Sequence, residues 1–191
     1  MKALAGIIAN VNGADGALRA TTMPSPVGTL TIVASERGVR AVLWQEEGQR
    51  PVDAAVASGE DVRQMEVLGD AVQQLEEYFA GERTAFDLPL DPVGTDFQQS
   101  AWAALRTIPY GETVSYGEQA RRMGDVRKAR AVGGANGRNP ISIVVPCHRV
   151  VGSDGSLTGF GGGIENKAWL LDHERRVHRG APDRLFEKQP F

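Results

Sequence analysis

The feature that most constrains the fold is a link broken by two prolines at residues 88–94, with the sequence Leu-Pro-Leu-Asp-Pro-Val-Gly. Pro89 and Pro92 each lack a backbone donor and have a fixed φ, so neither a helix nor a central strand can run through this segment. A chain of 191 residues is long enough for one to two domains. We therefore predict domains over 23–93 and 94–175, with flexible segments at 1–22 and 176–191.

The first domain has the pattern of a small sheet covered by a helix. Residues 27–34 alternate as a strand does, residues 36–38 have the composition of a turn, and residues 39–44 predict the return strand of a hairpin. The polar segment 46–60 predicts a connecting loop. Apolar residues at three- and four-residue steps over 62–79 then predict an amphipathic helix that ends at Gly81.

The second domain begins with capping signals that predict several short helices. Asp96 is predicted to cap the first helix, and Ser115 with Glu118 fits a capping box for the next. Asp125 is predicted to cap a basic helix that runs to about Asn136. Two short helices joined by a tight turn are typical of a helix-turn-helix.

The rest of the second domain predicts a wing and a final helix. Residues 141–145 are apolar and predict a buried strand, and residues 150–155 predict the hairpin tip of a wing. Three successive glycines at 161–163 lead into a last helix over 164–176. Gly133 and Gly134 lie inside the basic helix, where each costs about 1 kcal/mol relative to alanine, so close packing against another surface is expected there.

The charge is distributed unevenly along the chain. The net charge is −3, from 21 basic and 24 acidic residues, and as a total it does not favour a nucleic-acid partner. Residues 121–150, however, contain seven basic side chains and one acid. A local basic block on an acidic protein suits a polyanion, although a solvated helix face would have the same composition.

Cys147 is the only cysteine, which excludes an internal disulfide framework and a cysteine-rich zinc site, and it suits a reducing cytoplasm. A free thiol has a pKa of about 8.5, so a nucleophilic cysteine needs a nearby base or positive field. His148 is adjacent, but neighbouring side chains of an extended chain face opposite ways, so direct contact requires a turn, and otherwise a water must bridge them. His173 and His178 are other candidate bases. A lone cysteine is also commonly a small buried hydrophobe.

The segment 141–150, Ile-Ser-Ile-Val-Val-Pro-Cys-His-Arg-Val, resembles the active-site motif of the O6-alkylguanine-DNA alkyltransferases, also called methylated-DNA–protein-cysteine methyltransferases. The resemblance is strong over about 95–175 and looser over 24–93. Further motifs in the family's order and spacing are Phe97-Gln98 with Trp102, Ile-Pro-Tyr-Gly-Glu at 108–112, Ser115-Tyr116-Gly117, Ala-Arg-Ala-Val-Gly-Gly-Ala at 129–135, Arg138-Asn139-Pro140, Gly-Phe-Gly-Gly-Gly at 159–163 and Trp-Leu-Leu-Asp-His-Glu at 169–174.

The resemblance implies an α+β fold, with a small N-terminal ribonuclease-H-like α/β domain followed by a C-terminal winged helix-turn-helix domain. It also implies direct-reversal DNA repair, in which O6-alkylguanine is flipped out of the duplex and its alkyl group is transferred irreversibly to Cys147. In that reaction His148 is the base, acting through a water, and Glu174 orients the imidazole. Asn139 hydrogen-bonds around the thiol, and Tyr116 donates to the ring of the departing guanine.

The same resemblance implies a DNA-contacting helix that approaches the minor groove, with Arg130 filling the vacated stack. The implied DNA-contacting residues are Ser115, Arg127, Lys128, Ala129, Arg130, Ala131 and Gly133. The implied substrate pocket is formed by Trp102, Pro146, Val150, Phe160 and Gly162. Phe160 stands where many relatives have tyrosine, so a hydroxyl is missing at that position.

The expected partner is double-stranded DNA containing O6-alkylguanine, with no cofactor, no structural zinc and no membrane, for a cytoplasmic protein that is a monomer in solution. Activity on O4-alkylthymine and cooperative assembly on DNA stay open. Residues 1–22 faintly resemble a signal peptide, although the apolar part is short, so export is a weaker alternative. A winged-helix regulator without catalysis and a Cys-His hydrolase are the alternative functions.

Overall fold

The computed structural model describes residues 18–44, 55–56 and 62–180. Its N-terminal part contains a four-stranded sheet in the order β3-β2-β1-β4. Three strands, β1 (Arg19–Met23), β2 (Leu30–Ser35) and β3 (Gly38–Trp44), pair antiparallel in succession, and β4 (Ala55–Val56) pairs parallel with β1. The predicted hairpin is confirmed as β2 and β3, although β2 begins at Leu30 rather than at residue 27.

Strand β1 corrects the prediction of a flexible arm over 1–22, because the strand begins at Arg19. Its sequence, Arg-Ala-Thr-Thr-Met, lacks apolar alternation, and only Met23 of the strand is buried. The strand forms by pairing with β2 along its whole length, from Arg19 opposite Ala34 to Met23 opposite Leu30. Such a tertiary contact overrides local pattern. Residues 1–17 lie outside the described part of the chain.

One long helix, α1 (Val62–Phe79), covers the sheet as the sequence predicts. Ala71, Leu75 and Tyr78 are fully buried on its inner side. Gly81 ends it with φ +77°, a left-handed conformation that glycine adopts without steric cost. Of the predicted connector 46–60, the structure describes only β4, and the rest lies outside the described residues.

The proline-broken link 88–94 is bound to the edge of the sheet. The Val39 N–H donates to the Pro89 carbonyl over 2.8 Å, and the Asp91 N–H donates to the Val39 carbonyl over 2.9 Å. Gly38 allows this approach, because a Cβ there would lie 2.3 Å from the Pro89 oxygen. Asp91 also receives the buried Arg40 guanidinium, so the link is held by charge as well as by backbone bonds.

The C-terminal part is helical, as predicted. Its helices are α2 (Asp96–Leu105), α3 (Tyr116–Arg122), α4 (Ala129–Asn136) and α5 (Ile164–His178), with a 3-10 turn at Val126–Lys128 before α4. Helices α3 and α4, joined through that turn, form the predicted helix-turn-helix. The helix α5 runs two residues past the predicted end at 176 and so takes up the start of the predicted flexible tail, and residues 181–191 lie outside the described range.

The helix caps differ in part from the predictions. Thr95, not Asp96, caps α2: its hydroxyl accepts from the Gln98 N–H while the Gln98 side chain accepts from the Thr95 N–H, which completes a capping box. Thr95 is the cap because it has the extended backbone typical of an N-cap residue, whereas Asp96 is already the first helical residue. Ser115 caps α3 as predicted and accepts from the Glu118 N–H over 3.1 Å.

The predicted buried strand at 141–145 is instead a tight buried turn. Ile143 has φ +72°, a region that a β-branched residue rarely adopts, and the Val145 N–H donates back to the Ile141 carbonyl over 2.9 Å. The predicted hairpin wing is also wrong: β6 (Val150–Val151) pairs parallel with β5 (Val114–Ser115). A turn closed by the Gly152 N–H to the Ser156 carbonyl follows β6, without a returning strand.

The two parts share one hydrophobic core. Leu30 and Leu75 of the first part and Ile141 and Leu170 of the second are fully buried in the same cluster. Backbone bonds join them too, since the Val42 N–H donates to the Pro140 carbonyl over 2.9 Å. The chain segment that holds Cys147 is therefore fixed against the sheet.

In the described residues no helix is long and apolar enough to cross a membrane.

Candidate active site and DNA-binding face

Asn139 organises the turn that leads to Cys147. Its amide donates to the Val145 carbonyl over 2.7 Å and to the Cys147 Sγ over 3.2 Å, and its Oδ1 accepts from the Ile141 N–H over 3.1 Å. One buried side chain thus closes the loop and directs a donor at the sulfur. The strained φ of Ile143 belongs to this same turn, and such strain persists only where the surrounding structure imposes it.

Cys147–Arg149 forms a 3-10 turn, but His148 Nδ1 makes no hydrogen bond to the Cys147 thiol, so of the two predicted alternatives the bridging water remains. Cys147 is 7% exposed, and His148 is fully buried. His148 Nε2 lies 2.8 Å from Glu174 Oε1, whereas its Nδ1 has no hydrogen-bond partner among the described residues. Because a carboxylate only accepts, Nε2 carries the proton, and the Nδ1 lone pair is left to accept one.

Glu174 is the most heavily bonded side chain of the site. Its Oε1 accepts from His148, from the Tyr78 hydroxyl over 2.9 Å and from Arg149 over 3.0 Å. Its Oε2 accepts from Arg149 Nε over 2.9 Å and from the Gly111 N–H over 3.1 Å. Burial alone would raise the pKa of the Glu174 carboxyl, but the charges and hydrogen bonds of His148 and Arg149 outweigh it and hold that pKa far below its usual range.

The pKa values of the thiol and the imidazole are set mainly by burial. Burial raises the pKa of Cys147, against smaller opposing effects of the Asn139 hydrogen bond and the Lys167 charge. Burial likewise lowers the pKa of His148, which Glu174 only partly offsets. At neutral pH the resting site therefore contains a thiol beside a neutral imidazole and a carboxylate.

Three residues of this site were not predicted from the sequence. Tyr78 and Arg149 bind Glu174, and the buried Lys167 ammonium donates to the Val150 carbonyl over 2.6 Å and the Thr158 carbonyl over 2.7 Å. Lys167 could have been predicted from its spacing, because it lies seven residues before Glu174 and hence on the same face of the helix. Both lie on the buried stripe of α5, whose members are Lys167, Leu170, Leu171 and Glu174.

Tyr116 contacts the same loop. It is half-buried, and its hydroxyl donates to the Thr158 carbonyl over 3.1 Å, so in this structure the hydroxyl that was predicted to serve guanine bonds within the protein. Burial raises the pKa of Tyr116, which keeps the hydroxyl protonated. The Tyr116 ring lies over Gly133, where a Cβ would be 3.6 Å from the ring. That distance is an ordinary van der Waals contact, so the packing of Gly133 within the domain does not itself require a glycine.

Two of the five predicted pocket residues, Phe160 and Gly162, lie against Trp44. Phe160 is half-buried, packs edge-on against Trp44 with ring centroids 5.2 Å apart, and lies 6.4 Å from the His148 ring. Gly162 also lies against Trp44, since a Cβ there would be 2.6 Å from the indole. Val150 is buried beside the cysteine turn.

Trp102 and Pro146 have other surroundings. Trp102 is a buried core residue whose indole N–H donates to the Ala135 carbonyl over 2.9 Å, which joins α2 to α4. Pro146 lines a cavity of about 160 Å³ together with Arg149 and residues of the 84–90 segment. Cys147 does not line that cavity.

Apart from Ser115, the predicted DNA-contacting residues lie on or just before α4. Ala129 and Arg130 begin the helix, and Lys128, Arg130 and Ala131 are exposed. The Arg127 guanidinium pairs with the Asp125 carboxylate over 3.0 Å. Ser115 is half-buried as the cap of α3.

The basic block is smaller at the surface than its sequence indicates. Arg121 and Arg122 pair with Glu118, and Arg149 is buried against Glu174. The basic block in the sequence therefore consists of exposed basic residues at the surface and one buried arginine, Arg149, that has a structural role. Among the described residues, no group of three or more His, Cys, Asp or Glu side chains could hold a metal ion.

Comparison with known proteins matches both parts of the chain. The family model "6-O-methylguanine DNA methyltransferase, ribonuclease-like domain" matches residues 18–92, and the DNA binding domain of the same family matches 96–176. A methylated-DNA–protein-cysteine methyltransferase from Mycolicibacterium paratuberculosis is 48% identical over 166 residues, covering 87% of this chain and 97% of that protein. One from Methanosarcina acetivorans is 45% identical over 150 residues, or 78% of this chain and 94% of that protein.

Solved structures agree with these matches. The Mycobacterium tuberculosis O6-methylguanine methyltransferase has a TM-score of 0.72 and 45% identity, covering 88% of this chain and 97% of that one. The same bacterium's protein in complex with DNA has a TM-score of 0.71 and 47% identity, covering 87% and 95%. With both domains matched in order and the predicted α+β fold confirmed, this chain belongs to the 6-O-methylguanine DNA methyltransferase family.

Proposed function

We propose that this protein repairs DNA by direct reversal, taking the alkyl group of O6-alkylguanine in duplex DNA onto Cys147 in a single irreversible turnover. The observation that carries the proposal is the arrangement at the turn: a buried thiol receives a donor from Asn139 and directly precedes a His148–Glu174 pair whose Nδ1 is unpartnered among the described residues. Family membership supplies the substrate class, and this arrangement supplies the chemistry.

The thiol requires activation, since burial raises the pKa of Cys147. We assign His148 as the base, with Nδ1 taking the thiol proton through a water and Nε2–H held by Glu174. The imidazolium that forms lies against a carboxylate that stays ionised, because Glu174 has a strongly lowered pKa. The Asn139 amide and the Lys167 charge stabilise the thiolate.

The transfer itself is an in-line displacement at the alkyl carbon. The Sγ–C bond forms, the C–O6 bond breaks, and the electron pair of that bond leaves with guanine. A hydrogen bond donated to the purine ring stabilises the departing anion, and Tyr116, whose hydroxyl stays protonated, is the proposed donor. The thioether product is stable, so each molecule reacts once.

DNA is the proposed partner, bound through α4. Arg130 is exposed in the first turn of this helix, and the small Ala131 next to it leaves room for a groove wall. We propose that Arg130 enters the stack that the flipped base vacates, because flipping costs a few kcal/mol that an inserted side chain helps to offset. We further propose a monomer that acts in the cytoplasm, with the domain division at residues 93 and 94.

Intact mass spectrometry tests the proposal. After incubation with a duplex that contains O6-methylguanine, the protein mass should rise by one methyl group, and peptide mapping should place it on Cys147. Cys147→Ala should bind the duplex without gaining mass, and an unmodified duplex is the matched control. DNA binding without a mass change in the unaltered protein would favour a non-catalytic regulator, and hydrolytic turnover would favour a Cys-His hydrolase.

A further inference from the structure

Tyr78 connects the N-terminal domain to the carboxylate of the site. It lies in the last turn of α1 and is fully buried. Its hydroxyl donates to Glu174 Oε1 over 2.9 Å, and its backbone carbonyl accepts from His173 Nε2 over 2.7 Å. One residue of the first domain therefore bonds to two successive residues of α5, the helix that positions Glu174.

The ring of Tyr78 leaves its hydroxyl little freedom to move. Four rings pack around it at centroid distances of 5.3 to 6.0 Å, those of Phe79, Phe86, Tyr110 and His173. Burial and the Glu174 charge raise the pKa of Tyr78 well above its usual range. The hydroxyl is thus protonated and a donor at neutral pH, and the packed rings fix its position.

We propose that Tyr78 is a positioning residue for alkyl transfer, which fixes the Glu174 carboxylate and shares its Oε1 atom with His148 so that the imidazole stays neutral and ready to accept a proton. This assignment gives the N-terminal domain a part in the reaction, exerted through Glu174 and His148. It rests on the proposed function, since it concerns His148 as the base.

The influence of Tyr78 on His148 follows because both side chains donate to the same oxygen of Glu174. Oε1 accepts from Tyr78, His148 and Arg149. Each donor takes a share of the negative charge, so removing the Tyr78 hydroxyl leaves a stronger acceptor for the His148 N–H. A stronger acceptor favours imidazolium and raises the pKa of His148.

The other charged groups around the pair act in known directions. The cations of Arg149 and Lys167 disfavour imidazolium, as does burial of His148. Tyr110 faces Tyr78 from the segment before β5, and His173 faces it from α5. Because none of these groups changes in a Tyr78→Phe variant, a shift in the His148 titration reports the hydroxyl alone.

The test is Tyr78→Phe, which keeps the ring contacts and removes only the hydroxyl. NMR titration of His148 in the unreacted protein, with its resonance assigned by loss in His148→Gln, should show a pKa higher by about half a unit, which is about threefold more imidazolium at a given pH below neutrality. The rate of alkyl transfer should fall about threefold at pH values below the His148 titration and should be unchanged at higher pH, where the imidazole is neutral in both proteins.

Ser35→Ala is the matched control. The Ser35 hydroxyl donates to the Asp91 carboxylate over 2.6 Å in the same domain, away from the site, so its loss should move neither readout. An unchanged His148 titration and pH profile in Tyr78→Phe, with only a lower unfolding temperature, would overturn the proposal and leave Tyr78 a structural residue. Absence of alkyl transfer in the unaltered protein would refute the proposed function instead, because the NMR titration tests the hydroxyl without any turnover.

Discussion

Replacing Glu174 with glutamine should destabilise the folded protein by about 3–5 kcal/mol at pH 7, the usual cost of removing one partner of a buried ion pair. Arg149 is 7% exposed, and its guanidinium makes two bonds to the Glu174 carboxylate. A glutamine leaves that positive charge buried without a counterion. Its amide group also places donors opposite the existing donors, such as the Gly111 N–H, which then lack an acceptor.

The loss should depend on pH with a defined sign. Glu174 has a lowered pKa in the folded state, so its contribution is complete above the unfolded carboxyl pKa of about 4.3 and decreases as the pH falls below it. The gap in unfolding free energy between the two proteins should therefore be largest near pH 7 and narrow below about pH 4. Urea unfolding followed by tryptophan fluorescence measures it. Glu118→Gln, which removes an exposed ion-pair partner, should cost no more than about 1 kcal/mol. A gap under about 1 kcal/mol for Glu174→Gln, or one that is constant from pH 3 to 7, would refute the reasoning.

Three further predictions concern the reaction and the DNA-binding face. His148→Ala should slow alkyl transfer about 10²-fold or more at pH 7, and the deficit should shrink above pH 9 as the thiol ionises unaided; an equal deficit at both pH values would contradict a role as base. Arg130→Ala should slow repair of a duplex far more than transfer from free O6-benzylguanine, which needs no flipping, and equal slowing would place Arg130 in support of the active site. Lys128→Ala should lower the slope of log affinity against log salt by up to about one, while Arg127→Ala, whose side chain already pairs with Asp125, should lower it less; the reverse order would contradict the assigned surface.

The elements that the sequence predicted well are those whose signals are local. Gly81 ends α1, and Ser115 caps α3, because a left-handed glycine and a hydroxyl that accepts from the third residue on are short-range devices. The family motif likewise identified Cys147 and His148 from a run of ten consecutive residues, and in the structure both lie in one 3-10 turn. Residue type and spacing within a few positions were sufficient in each case.

The elements that escaped prediction depend on distant contacts. Strand β1 is polar and forms because β2 lies beside it. Residues 141–145 have the composition of a strand, but the Asn139 side chain closes them into a turn. Tyr78 and Glu174 are 96 positions apart, so their hydrogen bond exists only once the two domains pack together. A local pattern contains no information on that packing.

The stoichiometry of transfer tests the central claim most directly. With isotopically labelled methyl on guanine O6 in a duplex present in large excess, label bound to protein should rise to one methyl per molecule and then stop, because the Cys147 thioether is stable and the chain has a single cysteine. Cys147→Ala should retain no label under the same conditions. Continued release of labelled product beyond one equivalent, or label retained by the Cys147→Ala variant, would contradict the account.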